Sequence, residues 1–376
     1  MGLGRAPLPH PGVRVTTRLI VDVDTGIDDS LALVLLAADP AAEIVAVCCT
    51  AGNVPTAQVT RNTASWLDLC GLDGVEVCVG ADGPLVAPLM TTEDTHGPLG
   101  VGYAELPPTT RSLSARSAAT AWVELARAHP GELTGLVTGP LTNLALALRL
   151  EPALPTLLRR VVIMGGSFDH PGNTTPTTEW NVAVDPEAAK EVFDAFSAAP
   201  AGREPIVCGL NLTESIEMHP HHVDRMIEAA GGPDVPIVRH LADAIRFYFE
   251  FHEAQGEGYL AHMHDPFAAA VALRPEIAEY RTATVDVELT GTLTRGTTVA
   301  DRRGHWGRPP NAAIAVATDP EAFFDDLVAR VGAFAAQRAQ APLGSSLAPR
   351  APLGSSLAPR APLGSSLAPR APLGRS

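Results

Sequence analysis

The sequence predicts an α/β fold: a single domain with a mostly parallel open sheet flanked by helices, around a Rossmann-like core. Three observations predict it. Apolar, β-rich runs alternate with helical runs along most of the chain. The strand-like runs are nearly continuous in apolar residues, as strands covered on both faces require. The unusual polar residues gather just after those runs, where open parallel sheets bind ligands.

The elements follow in order. RLIVDVD, EIVAVCCTAG, VEVCVG, LTGLVTGP, RRVVIMGGS and EPIVCGLN read as strands. SLALVLLAADP, TAQVTRNTASWLDLCG, SARSAATAWVELARAHP, TNLALALRLEP and DPEAAKEVFDAFSAAP read as the helices between them. The twist of the strands makes the crossovers right-handed. Further on, TATVDVELTGTL, TTVADRR and AAIAVATD read as more strands, with an antiparallel arrangement left open. Residues 1–17 are rich in proline and glycine and read as a flexible arm, 18–338 as the folded domain. Residues 339–376 hold the repeat APLGSSLAPR and read as a disordered tail, since such a composition has little to bury.

Composition narrows the function. The chain has 376 residues, is 46% hydrophobic and carries a net charge of −15. An acidic surface argues against nucleic acid and anionic membrane as partners. No apolar run reaches the length of a membrane span, and the N-terminus lacks the apolar core of a signal peptide. The five cysteines show no paired or zinc-like spacing, which suggests buried, reduced thiols in a cytoplasmic protein. Lys190 is the sole lysine, so chemistry that needs one has a single candidate.

The strand ends carry the chemistry. After the first strand, VDVDTGIDDS places Asp22, Asp24, Asp28 and Asp29 within eight residues. Like charges resist burial together unless something offsets them. Asn53, Thr138, Asn143, Asn173, Glu179, Asn181, His264 and Asp265 follow the later strands. An all-oxygen set of this kind suits a hard dication, Ca²⁺ or Mg²⁺. Blander readings exist for single residues. Asp28 or Asp29 can cap a helix. Asn53 can serve a turn, and Asn143 reads best as a cap after Pro140. Glu179 and Asn181 can be surface residues, and His264 a structural histidine. One cap needs one acceptor, so capping does not explain four acids.

These residues carry a resemblance. Asp22-Val-Asp24-Thr-Gly26-Ile-Asp28-Asp29, followed in order by AGN, TGPLTN, MGG, ExN and HDP, resembles the inosine-uridine-preferring nucleoside hydrolases over roughly residues 18–335. The resemblance implies the nucleoside hydrolase fold and hydrolysis of the bond between ribose and a nucleobase, using one bound Ca²⁺, in nucleoside salvage or catabolism. It implies Asp24, Asp29, Asp265 and the Thr138 carbonyl as metal ligands, and Asp28 as the base that activates water. Asn53, Asn173, Glu179 and Asn181 would grip the ribose, with Met164 beneath the sugar. His264 would protonate the leaving base, and Asp22 would support the cluster. It also implies a homodimer or homotetramer.

Departures from the family pattern are visible. His96-Gly97-Pro98-Leu99-Gly100-Val101 replaces HGxxGL, so His96 is retained while Pro98 and Leu99 alter the lid over the 5′ end of the sugar. Tyr248 and His252 are four apart and share a helix face, which can line the base pocket or pack on the core. Trp306 can stack on a base or sit in a surface turn. The stretches Asp82–Gly102 and Arg246–His264 are those expected to set base preference. Two rival functions remain: a non-catalytic calcium- or ribose-binding homologue, and a haloacid-dehalogenase-like phosphatase built on LIVDVDT, which would need Lys190.

Overall fold

A computed structural model of the protein describes residues 16–341. The expected N-terminal arm and repeat tail lie almost wholly outside them. The strands are β1 (Thr17–Val23), β2 (Ala42–Cys49), β3 (Glu76–Val79), β4 (Leu133–Val137), β5 (Arg160–Met164), β6 (Ile206–Cys208), β7 (Glu217–Met218), β8 (Ala261–His262), β9 (Ala278–Val287), β10 (Thr298–Asp301) and β11 (Ala312–Thr318). Nine form one sheet in the order β10-β9-β11-β6-β5-β4-β1-β2-β3, and β7 pairs with β8 apart from it.

From β3 through β1, β4 and β6 to β11 every pairing is parallel. The last strands turn antiparallel, β9 against both β11 and β10. Strand order reverses between β1 and β4, since β1 leads outward to β2 and β3 on one side and the chain resumes with β4 on the other. A crevice opens at such a reversal because the two crossover helices leave in opposite directions.

Alternation along β1 builds both layers of the core. Leu19, Val21 and Val23 face one apolar cluster, and Ile20 the other. The first layer uses helices Ile27–Ala38, Pro236–Gln255, His264–Leu273 and Pro320–Gln340. The second uses Ala118–Ala128, Thr142–Leu150 and Pro186–Ser197. The strand–helix alternation does not announce helices Pro220–Ala230 and Pro320–Gln340, which pack together, with His222 stacked on Phe324 at 4.2 Å. The five cysteines are all free and buried. No helix among the described residues is long and apolar enough to cross a membrane.

Candidate active site

The acids of the first strand end separate by side. Asp22 continues the Ile20 face and points behind the sheet. There Trp122 Nε1 donates to its carboxylate at 2.7 Å and Asn143 Nδ2 at 2.9 Å. Burial pushes its carboxyl up to about 7, and the two donors pull the other way. Asn143 is therefore not the cap expected of it. Helix Thr142–Leu150 has no side-chain cap, and the Asn143 amide instead joins Asp22, the Cys49 carbonyl and the Ala81 N–H.

The other acids meet at the crevice. Asp24 Oδ2 accepts from Asn53 N at 2.9 Å, while its Oδ1 is buried with no partner. Backbone alone fits around it: a Cβ on Gly52 would stand 2.1 Å from Asp24 Oδ2. Helix Ile27–Ala38 starts at Gly26, earlier than the sequence pattern suggests, so Asp28 and Asp29 fall in its first turn. Asp29 does accept from Gly26 N at 2.8 Å, so helix capping is part of its work. Its other oxygen accepts from Thr138 Oγ1 at 2.7 Å. Asp265 arrives from the first turn of helix His264–Leu273, and carboxylate oxygens of Asp28, Asp29 and Asp265 lie within 4.8 Å of one another. Asp24 adjoins Asp29.

Burial raises all four carboxyls, Asp28 to about 7, and repulsion from neighbouring acids adds to the rise at Asp24, Asp28 and Asp265. A group of buried acids with an oxygen lacking any donor is incomplete as a folded core. The donor set fits a hard dication: carboxylate oxygens plus the Thr138 carbonyl, which accepts from Asn181 Nδ2 at 2.7 Å and keeps a second lone pair.

Above this floor opens a cavity of about 640 Å³. Asp24, Asp28, Asn53, His96, Thr138, Met164, Asn173, Glu179, Asn181, Tyr248, His252, His264 and Asp265 all line it. Asp29 lies beneath, and Asp22 is shut off behind the strand. Glu179 is buried and caps helix Trp180–Val184, accepting from the N–H groups of Asn181, Val182 and Gly166. Asn53 Oδ1 is buried without a partner. Asn173 Oδ1 accepts from Trp180 N at 3.0 Å, which leaves its amide nitrogen free to donate.

His96 and His264 are held neutral. Ile27 N donates to His96 Nδ1 at 3.1 Å, so the His96 proton sits on Nε2. Burial pushes the His96 imidazolium down to about 3. His264 Nδ1 is bonded to Thr213 Oγ1 at 2.8 Å; burial, with His262, His252 and His96 nearby, holds it well below 6.5. Tyr248 and His252 share one helix face, with rings 4.5 Å apart, both buried and both on the cavity.

Sequence reasoning missed Thr92, Trp180, Glu214, Phe251, Glu257 and His262, which also line the cavity. Thr92 falls within Asp82–Gly102, and Phe251, Glu257 and His262 within Arg246–His264, the stretches expected to set base preference; nothing local marks Glu214. No lysine or arginine lines it among the described residues. Lys190 pairs elsewhere, with Asp286 at 2.7 Å and Asp194 at 3.3 Å, which removes the phosphatase reading's required cation. Trp306 is a surface residue under Arg308 and does not reach the cavity. Pro98 and Leu99 also stand outside it.

The chain is similar to known proteins over most of its length. The family described as inosine-uridine preferring nucleoside hydrolase matches residues 19–325. The inosine-uridine preferring nucleoside hydrolase of Crithidia fasciculata is 34% identical over 320 residues, covering 84% of this chain and 98% of that protein. The pyrimidine-specific ribonucleoside hydrolase RihA of Salmonella gallinarum is 35% identical over 318 residues, covering 84% and 99%. Among solved structures, a purine-preferring ribonucleoside hydrolase from Gardnerella vaginalis superposes with a TM-score of 0.79 at 28% identity, covering 85% of this chain and 100% of that one.

Proposed function

Because the chain belongs to the inosine-uridine preferring nucleoside hydrolase family, we propose that its cleft hydrolyses the N-glycosidic bond of ribonucleosides with a calcium ion held by Asp24, Asp29, Asp265 and the Thr138 carbonyl. Membership makes the chain a nucleoside N-glycosidase. The observation that carries the finer reading is the convergence of buried acids on one point, with Asp24 Oδ1 lacking any donor. Held by those residues, a calcium ion would offset their repulsion and would supply acidity to the attacking water.

The acids divide the work by what already holds them. Asp29 has both oxygens engaged, and Asp24 has one. Asp28 is bonded to the backbone N–H groups of Asp28 and Asp265 and to the Asp265 carboxyl, and it faces the cavity, where it can take a proton from a water. Its carboxyl, raised to about 7 before any ion is present, has the basicity general-base chemistry asks for near neutrality; a dication draws it lower again.

The walls grip the ribose. Asn53 Oδ1 needs a donor and suits a ribose hydroxyl. Three backbone N–H groups occupy Glu179 and leave one acceptor site for another hydroxyl. Holding the sugar supplies orientation. As the base departs, positive charge grows on the ribosyl carbon, and the surrounding carboxylate and amide oxygens stabilise it. His264 is neutral at rest, and the ring nitrogen it does not spend on Thr213 is the one that can meet the departing base. A wall without lysine or arginine disfavours nucleotides, whose phosphates it would repel.

We further take the chain to be a cytoplasmic homodimer or homotetramer, which light scattering and fractionation can decide. Relatives are named pyrimidine-specific or purine-preferring, and measurement decides the base here. The test is a panel of purine and pyrimidine nucleosides with free ribose as readout. Release that stops on chelation and returns with calcium is the expected result. Release from none of them would leave the non-catalytic binding protein as the better account.

A further inference from the structure

Besides the acid floor, one other set of metal-ligating side chains converges among the described residues. Donor atoms of His252, Glu257 and His262 lie within 4.8 Å of one another at the mouth of the cleft. His252 comes from the last turn of helix Pro236–Gln255. The chain then reverses through Gly256, whose φ of 86° is a left-handed conformation that favours glycine. Glu257 N donates to the His252 carbonyl at 3.0 Å, which folds Glu257 back beside that ring. His262 reaches the same spot from β8.

The hydrogen bonding is incomplete in a particular way. His252 Nδ1 lies 2.8 Å from the Tyr248 carbonyl. A carbonyl only accepts, so Nδ1 carries the hydrogen and Nε2 presents a lone pair. That lone pair stands 3.8 Å from Glu257 Oε2, acceptor facing acceptor. His262 Nε2 is 3.5 Å from the same oxygen, and its Nδ1 is buried with no partner. A proton on His262 would serve one pair and leave His252 facing a carboxylate. A cation among the three serves both ring nitrogens that face Glu257 and the carboxylate itself.

We propose that His252, Glu257 and His262 form a second cation site, distinct from the acid floor, for a borderline dication such as Zn²⁺, Co²⁺ or Ni²⁺. Two imidazoles and one carboxylate select that class over calcium, which prefers oxygen alone. An N–H to backbone carbonyl bond, as His252 makes, is the usual support of a ligating histidine. Three protein donors leave coordination open toward the cavity they line, where water or a ring nitrogen of a base can complete the shell.

The test uses full-length, calcium-saturated protein titrated with Co²⁺, following visible d–d absorption and Tm. One saturable event that raises Tm is expected. Binding should weaken at least about tenfold in Glu257→Gln and in His262→Ala, and survive in Asp265→Asn. Glu257 is exposed, so Glu257→Gln keeps the fold, and circular dichroism of the metal-free variants checks this. The proposal is overturned if the wild type gives no response. It also fails if the double variant Glu257→Gln/His262→Ala responds like the wild type. Loss in Asp265→Asn alone would move the ion to the floor, and that result bears on the calcium reading separately.

Discussion

Asp22 and Asp24 leave the same strand end two residues apart, and the regions they enter differ in one respect. Behind β1, Asp22 is fully buried but receives two N–H donors, from Trp122 and Asn143. In front of it, Asp24 is equally buried, keeps an oxygen with no donor, and meets Asp28, Asp29 and Asp265. Burial raises the carboxyls in both places. The contrast teaches that burial of an acid is not itself the mark of a site. A buried acid with its own donors belongs to the scaffold. A group of acids short of donors marks a candidate site.

The sharpest way to break this contrast is at Asp28. Asp28→Asn should lower kcat by about 10²–10⁴-fold, the usual worth of a general base, with nucleoside binding largely kept. Turnover equal to the parent's would remove Asp28 from its role. Chelation comes next: ribose release should stop and Tm should fall. An ion present at a hundred times its Kd contributes about 2.7 kcal/mol of stability. An unchanged Tm in calorimetry would mean that the front acids, like Asp22, are content without an ion.

The same comparison predicts the reverse behind the strand. Trp122→Phe removes one donor from Asp22 and should cost about 1–3 kcal/mol of stability, read by urea unfolding, with kcat near the parent's. A fall in kcat as deep as that of Asp28→Asn would put Asp22 in the site. A further effect is in pH. Without calcium, the Asp28 carboxyl is raised from 3.8 to about 7 on folding, so the folded state holds an extra proton between those values. The stability this lends is complete below 3.8 and is lost as pH rises through about 7. Asp28→Asn should therefore gain more Tm over the chelated parent above pH 7 than below 3.8. A gain independent of pH would mean Asp28 is not the strained acid.

The front region was legible because its residues are local to strand ends. The six apolar runs became β1 to β6, and the acids that follow them gathered where parallel sheets place ligands. The region behind was less so. Asn143 looks like a cap because caps and long-range amide donors use the same residue type, and its partner Asp22 lies 121 residues away. The cleft mouth was half legible. Tyr248 and His252 follow from helical spacing, but Glu214 and His262 arrive by packing of segments with no periodic signal. Trp306 carried an aromatic signal that its surface position does not use.

Gly52 has a practical consequence for redesign. With a Cβ there only 2.1 Å from the Asp24 carboxylate, the surroundings of that acid can be trimmed but not enlarged. A library seeking new leaving groups should hold residues 24–29 and 52–53 fixed. It should draw its diversity from 248–262, where side chains rather than backbone make the wall.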